Sequence, residues 1–489
     1  MTRTSITHPL QIADITTGPG QGRIGVTFCP GKKQPNAATG AWGRDLGLDV
    51  QRIADWGAAA VVTLIEDHEI RTLKVDGLGE AVRARHMDWL HLPISDVSTP
   101  DDRFEAAWQS IGENLRDRLR TGFDVLVHCK GGLGRAGLTA ARLLVELGVP
   151  ADEAISRVRR ARPGAIETAA QEAFVRALRP VAERQPDTSI EAMEDRAVGA
   201  FWGLALGDAV GTTLEFAARD TKPLLTDMAG GGPFHLKPGE WTDDTAMAMA
   251  LADSLATCGD LVEEDVLKRF SDWWRNGTYS CTGHCFDIGI TTAQAIAKWE
   301  KTKADHCGST DRQSAGNGSL MRLAPIPIRY WRDRPRLRDA AARQSKTTHA
   351  APEAVDACVV YAEMIADAIE GKPRSAVLAA RAGDWSGTIA AINAGSWRGK
   401  ARREINASGY VAHAMEASLW SVARSAGFER AVLLAANLGD DADTTAAITG
   451  QLAGALAGTG GLPARWLDKL ALRPRIHCMA SGLFKDGMT

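Results

Sequence analysis

The sequence predicts two domains of different class: an N-terminal α/β fold with a central sheet flanked by helices, and a C-terminal all-α fold. Three observations carry this prediction. Short β-type runs alternate with amphipathic helical patterns through the first third of the chain, the pattern of an α/β layer fold. A polar, proline-flanked stretch at 180–189 reads as a linker. From Glu191 onward β-branched runs become rare and alanine-rich helical patterns dominate. The domains are drawn at 1–184 and 185–489.

In the first domain, residues 24–29, 59–65, 89–94 and 123–128 are dense in β-branched and apolar residues and read as strands. Residues 45–56, 103–120, 137–147 and 151–160 show the 3.6-residue periodicity of helices. In the second domain, residues 197–209 form a helix carrying Gly199, Gly203 and Gly207 at four-residue spacing. Glycine lowers helix propensity, so its repeated use points to close helix approach or function. Residues 246–255 form another helix, and the uncharged run 444–464 reads as a tightly packed core helix rather than a membrane span.

The 489 residues suffice for two or three domains. Hydrophobic content of 45%, charged content of 24% and a net charge of -3 fit a soluble globular protein. They give no reason to expect a nucleic-acid or membrane partner. The eight cysteines are scattered without a CxxC pair, which points to a reduced cytoplasmic setting. Cys281 and Cys285, a lone CxxxC, read as ordinary packing rather than zinc ligands. The first fifteen residues contain no apolar signal-peptide core.

The strand at 123–128 runs into Cys129, Lys130, Gly131, Gly132, Leu133, Gly134 and Arg135, and a helix follows. A cysteine separated from an arginine by five residues, between strand and helix, makes a phosphate cradle. The glycines let backbone N–H groups turn toward an oxyanion, and the helix N-terminus adds positive charge. Arg135 can grip two phosphate oxygens, and the same field favours Cys129 as a thiolate.

These residues resemble the signature of the cysteine-dependent dual-specificity phosphatases, most closely the kinase-associated phosphatase-like type. The resemblance extends to Phe28, Cys29 and Pro30, to the segment 93–100 and to the segment 164–168. It implies a two-step mechanism without a cofactor. Cys129 attacks phosphorus, Asp96 protonates the leaving oxygen, and water hydrolyses the phosphocysteine, with Gln171 at the water-orienting position. Ala136 departs from the Ser or Thr usual after the arginine. The missing hydroxyl implies a slow second step, or a module that only binds phosphorylated partners.

The stretch 438–445 holds Asp440, Asp441 and Asp443 with Thr444 and Thr445 between a glycine and an uncharged segment. Such a cluster is either a helix N-terminus capped by its own Asp and Thr side chains or an oxygen site for a hard divalent cation. Similar oxygens recur elsewhere. Thr242, Asp243 and Asp244 open the helix at 246–255, Glu215 closes the segment after 207, and Asp287 follows Phe286. Gly316, Asn317, Gly318 and Ser319 form a glycine-rich loop suited to a phosphate.

Together these motifs, from about residue 194 to 466, resemble the ADP-ribosylglycohydrolase family of the dinitrogenase-reductase-activating type. The resemblance implies an all-α fold with two divalent metal ions, Mg²⁺ or Mn²⁺. Thr242, Asp243, Asp244, Asp441, Asp443 and Thr444 are the implied ligands. Glu215 is implied as ligand or catalytic carboxylate and Asp287 as general base. Residues 316–319 would cradle the diphosphate, with His349 near the ligand. Asp440 stands where relatives often carry Gly, and Ala457 where many carry Tyr.

The expected function is that of a bifunctional hydrolase. The C-terminal domain would cleave the C1″ glycosidic bond of an ADP-ribosylated protein or small molecule. The N-terminal domain would hydrolyse phosphate monoesters of a phosphorylated protein or small molecule. Alternatively, both domains process one phosphorylated ADP-ribose-type metabolite.

Overall fold

The computed structural model describes residues 2–37 and 40–488. The chain divides into two compact units, Met1–Arg184 and Gln185–Thr489.

The first unit is built on a five-stranded sheet in the order Ala13–Thr16, Arg23–Phe28, Asp124–Cys129, Ala58–Thr63, Asp88–His91. The first pair is antiparallel and the remaining pairs are parallel. The three central strands are almost wholly buried, as expected for parallel strands covered on both faces. The edge strand Ala13–Thr16 is too short and too exposed to leave a periodic signal in the sequence. The helix Leu46–Trp56 starts after Asp45, which accepts the Leu48 N–H, and stops at Gly57 in the left-handed conformation. Asp101 caps Asp102–Arg120 in the same way.

Two boundaries matter for chemistry. The central strand ends on Cys129 itself. The following helix is Gly134–Glu146, beginning three residues before the expected 137, so Arg135 lies in its first turn.

The second unit is helical. Its spine is a pair of antiparallel helices, Ile190–Gly211 and Ala442–Ala457. They touch backbone to backbone along a glycine seam. A Cβ on Gly203 would lie 2.1 Å from the Gly450 carbonyl oxygen, and one on Gly207 would lie 2.1 Å from that of Ala446. Antiparallel pairing brings the C-terminal end of the first helix to the N-terminal end of the second. Asp208 and Glu215 therefore meet Asp441 and Asp443. A third helix, Asp243–Cys258, points its N-terminus at the same place.

Candidate active sites

In the first unit the loop after Cys129 is shaped by both of its flanks. Gly132 has φ +70°, and a Cβ there would sit 2.5 Å from the Thr27 carbonyl carbon, so only glycine fits. Arg162 donates to the carbonyl oxygens of Gly132 and Gly131 at 3.0 and 3.2 Å, holding them outside the loop. The Gly132 N–H points inward and donates to the Cys129 Sγ at 3.2 Å. His128 is buried beside Thr63, Nε2 to Oγ1 at 2.7 Å, and burial pushes it down to about 3, so it is neutral.

Arg135 is buried and already compensated. Its guanidinium donates to both Glu69 oxygens at 2.6 and 2.9 Å and to the Ile94 carbonyl at 3.0 Å. Asp96 adds a contact to the same guanidinium at 2.9 Å while its own side chain stays largely exposed. The structure thus brings Cys129, Arg135 and Asp96 together. Val97, next to Asp96, has φ +64°, a costly conformation for a β-branched residue.

Three features of this loop escape sequence reading. Glu69 is one. Glu167 is another: its carboxylate accepts the Gly134 N–H at 2.7 Å. The third is how the Gln171 amide is held. Its oxygen accepts from the Glu167 N–H and its nitrogen donates to the Ser98 carbonyl. Held this way and buried, Gln171 lies against the loop: a Cβ on Gly134 would sit 3.1 Å from both of its amide atoms.

In the second unit the two acidic stretches sit at helix N-termini, but they do not cap them. Thr242 and Asp441 are the N-cap residues of Asp243–Cys258 and Ala442–Ala457, and neither side chain makes a capping hydrogen bond. The capping of the first is done by Asp208, which accepts from the N–H groups of Thr242 and Thr245 at 2.9 and 3.0 Å and from both hydroxyls. The Asp and Thr oxygens are thereby left to face one another.

Two groups of carboxylates result, each with oxygens within 4.8 Å of one another. One is Asp208, Asp244 and Asp443; the other is Glu215, Asp287 and Asp443. Asp443 belongs to both. Thr242 Oγ1 lies 3.2 Å from Asp244 Oδ2 and from Asp443 Oδ2, and Thr444 Oγ1 lies 3.4 Å from Asp244 Oδ2. Asp441 is tied to Asn317, whose amide nitrogen donates to Oδ2 at 2.7 Å. Asp243, in the first turn beside Asp244, is buried but lies outside both groups.

The cluster is electrostatically unbalanced. Burial first, then mutual repulsion, pushes Asp243, Asp244 and Asp443 well above the carboxylate range. Asp208 rises to about 6 by burial, Asp287 to about 7, and Glu215 to about 9 by burial and the charge of Asp287. Asp244 Oδ1, Asp443 Oδ1 and Glu215 Oε2 are buried without a hydrogen-bond partner among the described residues. Buried Asp and Glu oxygens without partners, flanked by Thr hydroxyls and with no ion pair to a basic side chain among the described residues, fit a hard divalent ion.

The glycine loop lies alongside. Gly316 and Asn317 donate their N–H groups to the Ser314 and Gly409 carbonyls. Among the described residues this leaves the Gly318 and Ser319 amides without a carbonyl acceptor. The Ser319 hydroxyl is buried against Ser345 at 2.8 Å, so the residue offers backbone rather than side chain. His349 packs beneath: a Cβ on Gly318 would meet its ring at 2.7 Å, and its Nδ1 lies 2.9 Å from Thr348 Oγ1.

Two sequence departures are resolved here. Asp440 has φ +60°, where the backbone favours glycine, and an exposed side chain whose charge still adds, after burial, to what pushes Asp441 up. Ala457 is the last residue of Ala442–Ala457, fourteen residues beyond Asp443. At ~1.5 Å rise per residue that is roughly 21 Å along the helix, outside the cluster.

Residues 189–488 match the sequence profile of the ADP-ribosylglycohydrolase family, and residues 44–175 match that of the Swiss Army Knife protein DSP-PTPase phosphatase domain. The chain is 44% identical over 290 residues to an ADP-ribosylarginine hydrolase of Serratia proteamaculans, covering 59% of this chain and 79% of the relative. It is 31% identical over 302 residues to the ADP-ribosyl-(dinitrogen reductase) glycohydrolase of Rhodospirillum rubrum, covering 58% and 92%. The first unit is 32% identical over 131 residues to cyclin-dependent kinase inhibitor 3 of Rattus norvegicus, covering 26% and 60%. A solved structure described as an ADP-ribosylglycohydrolase-related protein complex superposes with a TM-score of 0.55 at 38% identity, covering 61% of this chain and all of the other.

Proposed function

This chain belongs to the ADP-ribosylglycohydrolase family, and from that premise we propose a bifunctional hydrolase. Its helical unit releases ADP-ribose from ADP-ribosylated substrates, and its first unit hydrolyses phosphate monoesters through Cys129. The observation that carries the first activity is Asp443, shared by two carboxylate groups, in which one oxygen each of Asp244, Asp443 and Glu215 lacks a hydrogen-bond partner among the described residues. The family is metal-dependent, and a carboxylate common to two groups favours two ions, Mg²⁺ or Mn²⁺. Bound ions supply Lewis acidity toward ribose hydroxyls and water.

The chain's own groups do the rest. Thr242, Asp243, Asp244, Asp441, Asp443 and Thr444 would hold the ions, with Asp208 fixing Thr242 and Asn317 fixing Asp441. The Gly318 and Ser319 amides, over His349, orient the diphosphate. Asp287, grouped with Glu215 and Asp443, accepts the proton of the incoming water as the C1″ bond opens with oxocarbenium character. The arginine linkage is the first candidate, because the Serratia relative is an ADP-ribosylarginine hydrolase. In the first unit Cys129 attacks phosphorus, Arg135 and the loop amides hold the equatorial oxygens, and Asp96 protonates the leaving oxygen. All eight cysteines are free, which suits a reducing cytoplasm.

EDTA should abolish ADP-ribose release from ADP-ribosylarginine and spare hydrolysis of p-nitrophenyl phosphate. Cys129→Ser should do the reverse. Metal-independent ADP-ribose release, or phosphatase turnover by the serine variant, would each refute the corresponding half.

A further inference from the structure

We propose that Lys32 is the counter-ion of the Cys129 thiolate, a role that rests on the reading of Cys129 as nucleophile. Lys32 is 5% exposed. Its ammonium donates to the carbonyl of Lys130, the residue after the nucleophile, at 3.2 Å. It lies over the rings of Phe28 and Trp42, 4.8 and 4.9 Å from their centroids.

Arg44 stacks on the same two rings, at 5.0 and 5.7 Å, and the comparison is instructive. Arg44 is neutralised by Asp49 through two 2.7 Å contacts. Among the described residues no carboxylate forms an ion pair with Lys32. A buried ammonium without an anion is costly, and one carbonyl and two ring faces offset only part of that cost. The ionisable groups beside that carbonyl are two thiols: Cys29, whose own N–H donates to the same Lys130 carbonyl at 3.4 Å, and Cys129, the residue before Lys130. Burial holds the Cys29 thiol far above its usual range, so it stays protonated. Cys129 is the remaining partner.

The loop arginine cannot fill this role as fully. Arg135 already faces Glu69 through both nitrogens, and Asp96 besides. Its charge is shared with these carboxylates. Lys32 supplies a buried positive charge near the nucleophile that no carboxylate among the described residues pairs with.

The test is the pH profile of alkylation at Cys129 in the full chain, read by peptide mapping after iodoacetamide. It is run on wild type, Lys32→Met, Lys32→Gln and Lys32→Arg, with kcat/KM for p-nitrophenyl phosphate alongside. Removing the charge should move the profile up by about one pH unit, an about tenfold slower alkylation at pH 6, and cut kcat/KM about tenfold. Lys32→Arg should keep the wild-type profile, because it keeps the charge and the ring contacts. Profiles for both Lys32→Met and Lys32→Gln that overlay wild type, in an active enzyme, overturn the role of Lys32 alone. A wild-type Cys129 that alkylates no faster at pH 6 than exposed Cys258, with no phosphatase turnover, overturns the nucleophile reading as well.

Discussion

At the scale of single residues, Ala136 makes the sharpest statement about the phosphatase reaction. It is fully buried in the first turn after Arg135, and on the proposed phosphocysteine route it offers no hydroxyl to help Cys129 leave as thiolate. The first step should therefore outrun the second. Wild type should release one equivalent of p-nitrophenol in a burst and then turn over slowly. Ala136→Ser should raise the steady rate about tenfold and shrink the burst. A linear wild-type trace, unchanged by the serine, would show that position 136 does not limit the reaction. Residues with direct chemical patterns, such as Cys129, Arg135, Asp244 and Asp443, were legible in sequence. Glu69 was not, because a Glu in a short helix 66 residues away has nothing to distinguish it until the fold sets it on Arg135. Asp208 left a faint signal in its Gly-Asp doublet; its role as the cap that frees the Thr242 cluster required the helices to be placed.

At the scale of elements, the glycine seam between Ile190–Gly211 and Ala442–Ala457 turns two separate motifs into one cluster. The four-residue spacing was visible, and so was the inference of close approach. The partner helix and the antiparallel register were not, because small residues mark a face without saying what packs on it. Gly203→Ala tests the seam. Its Cβ would sit 2.1 Å from a backbone oxygen that cannot rotate away, so the helices must part. The expected cost is about 3 kcal/mol or more. ADP-ribose release should fall at least about tenfold while hydrolysis of p-nitrophenyl phosphate is retained. Gly482→Ala, in the helix Arg473–Asp486 with nothing within 4 Å of the new methyl, is the control and should be neutral or slightly stabilising. Equal behaviour of the two variants would deny the seam its structural importance.

At the scale of the whole molecule, the buried carboxylates couple stability to pH and to cations. In the metal-free protein Asp208, Asp287 and Glu215 bind protons up to about 6, 7 and 9, against 3.8 or 4.5 when unperturbed. Over that range the folded state holds more protons than the unfolded chain. By linkage, the stability these groups contribute is fully present below about 4 and is lost as pH rises through the folded values. Other carboxylates act in the opposite sense: Glu300 is held down to about 2, chiefly by its hydrogen bond from Arg275, and favours folding at higher pH. The diagnostic is therefore not Tm alone but the increment in Tm on adding Mg²⁺. A divalent ion replaces protons that are abundant at pH 5 and scarce at pH 8, so the increment should be small at pH 5 and grow toward pH 8. Asp443→Asn removes the carboxylate common to both groups. It should raise the metal-free Tm at pH 8, by relieving repulsion, and largely remove the Mg²⁺ increment. An increment independent of pH, or one undiminished in Asp443→Asn, would mean that the cluster is not where the ion binds.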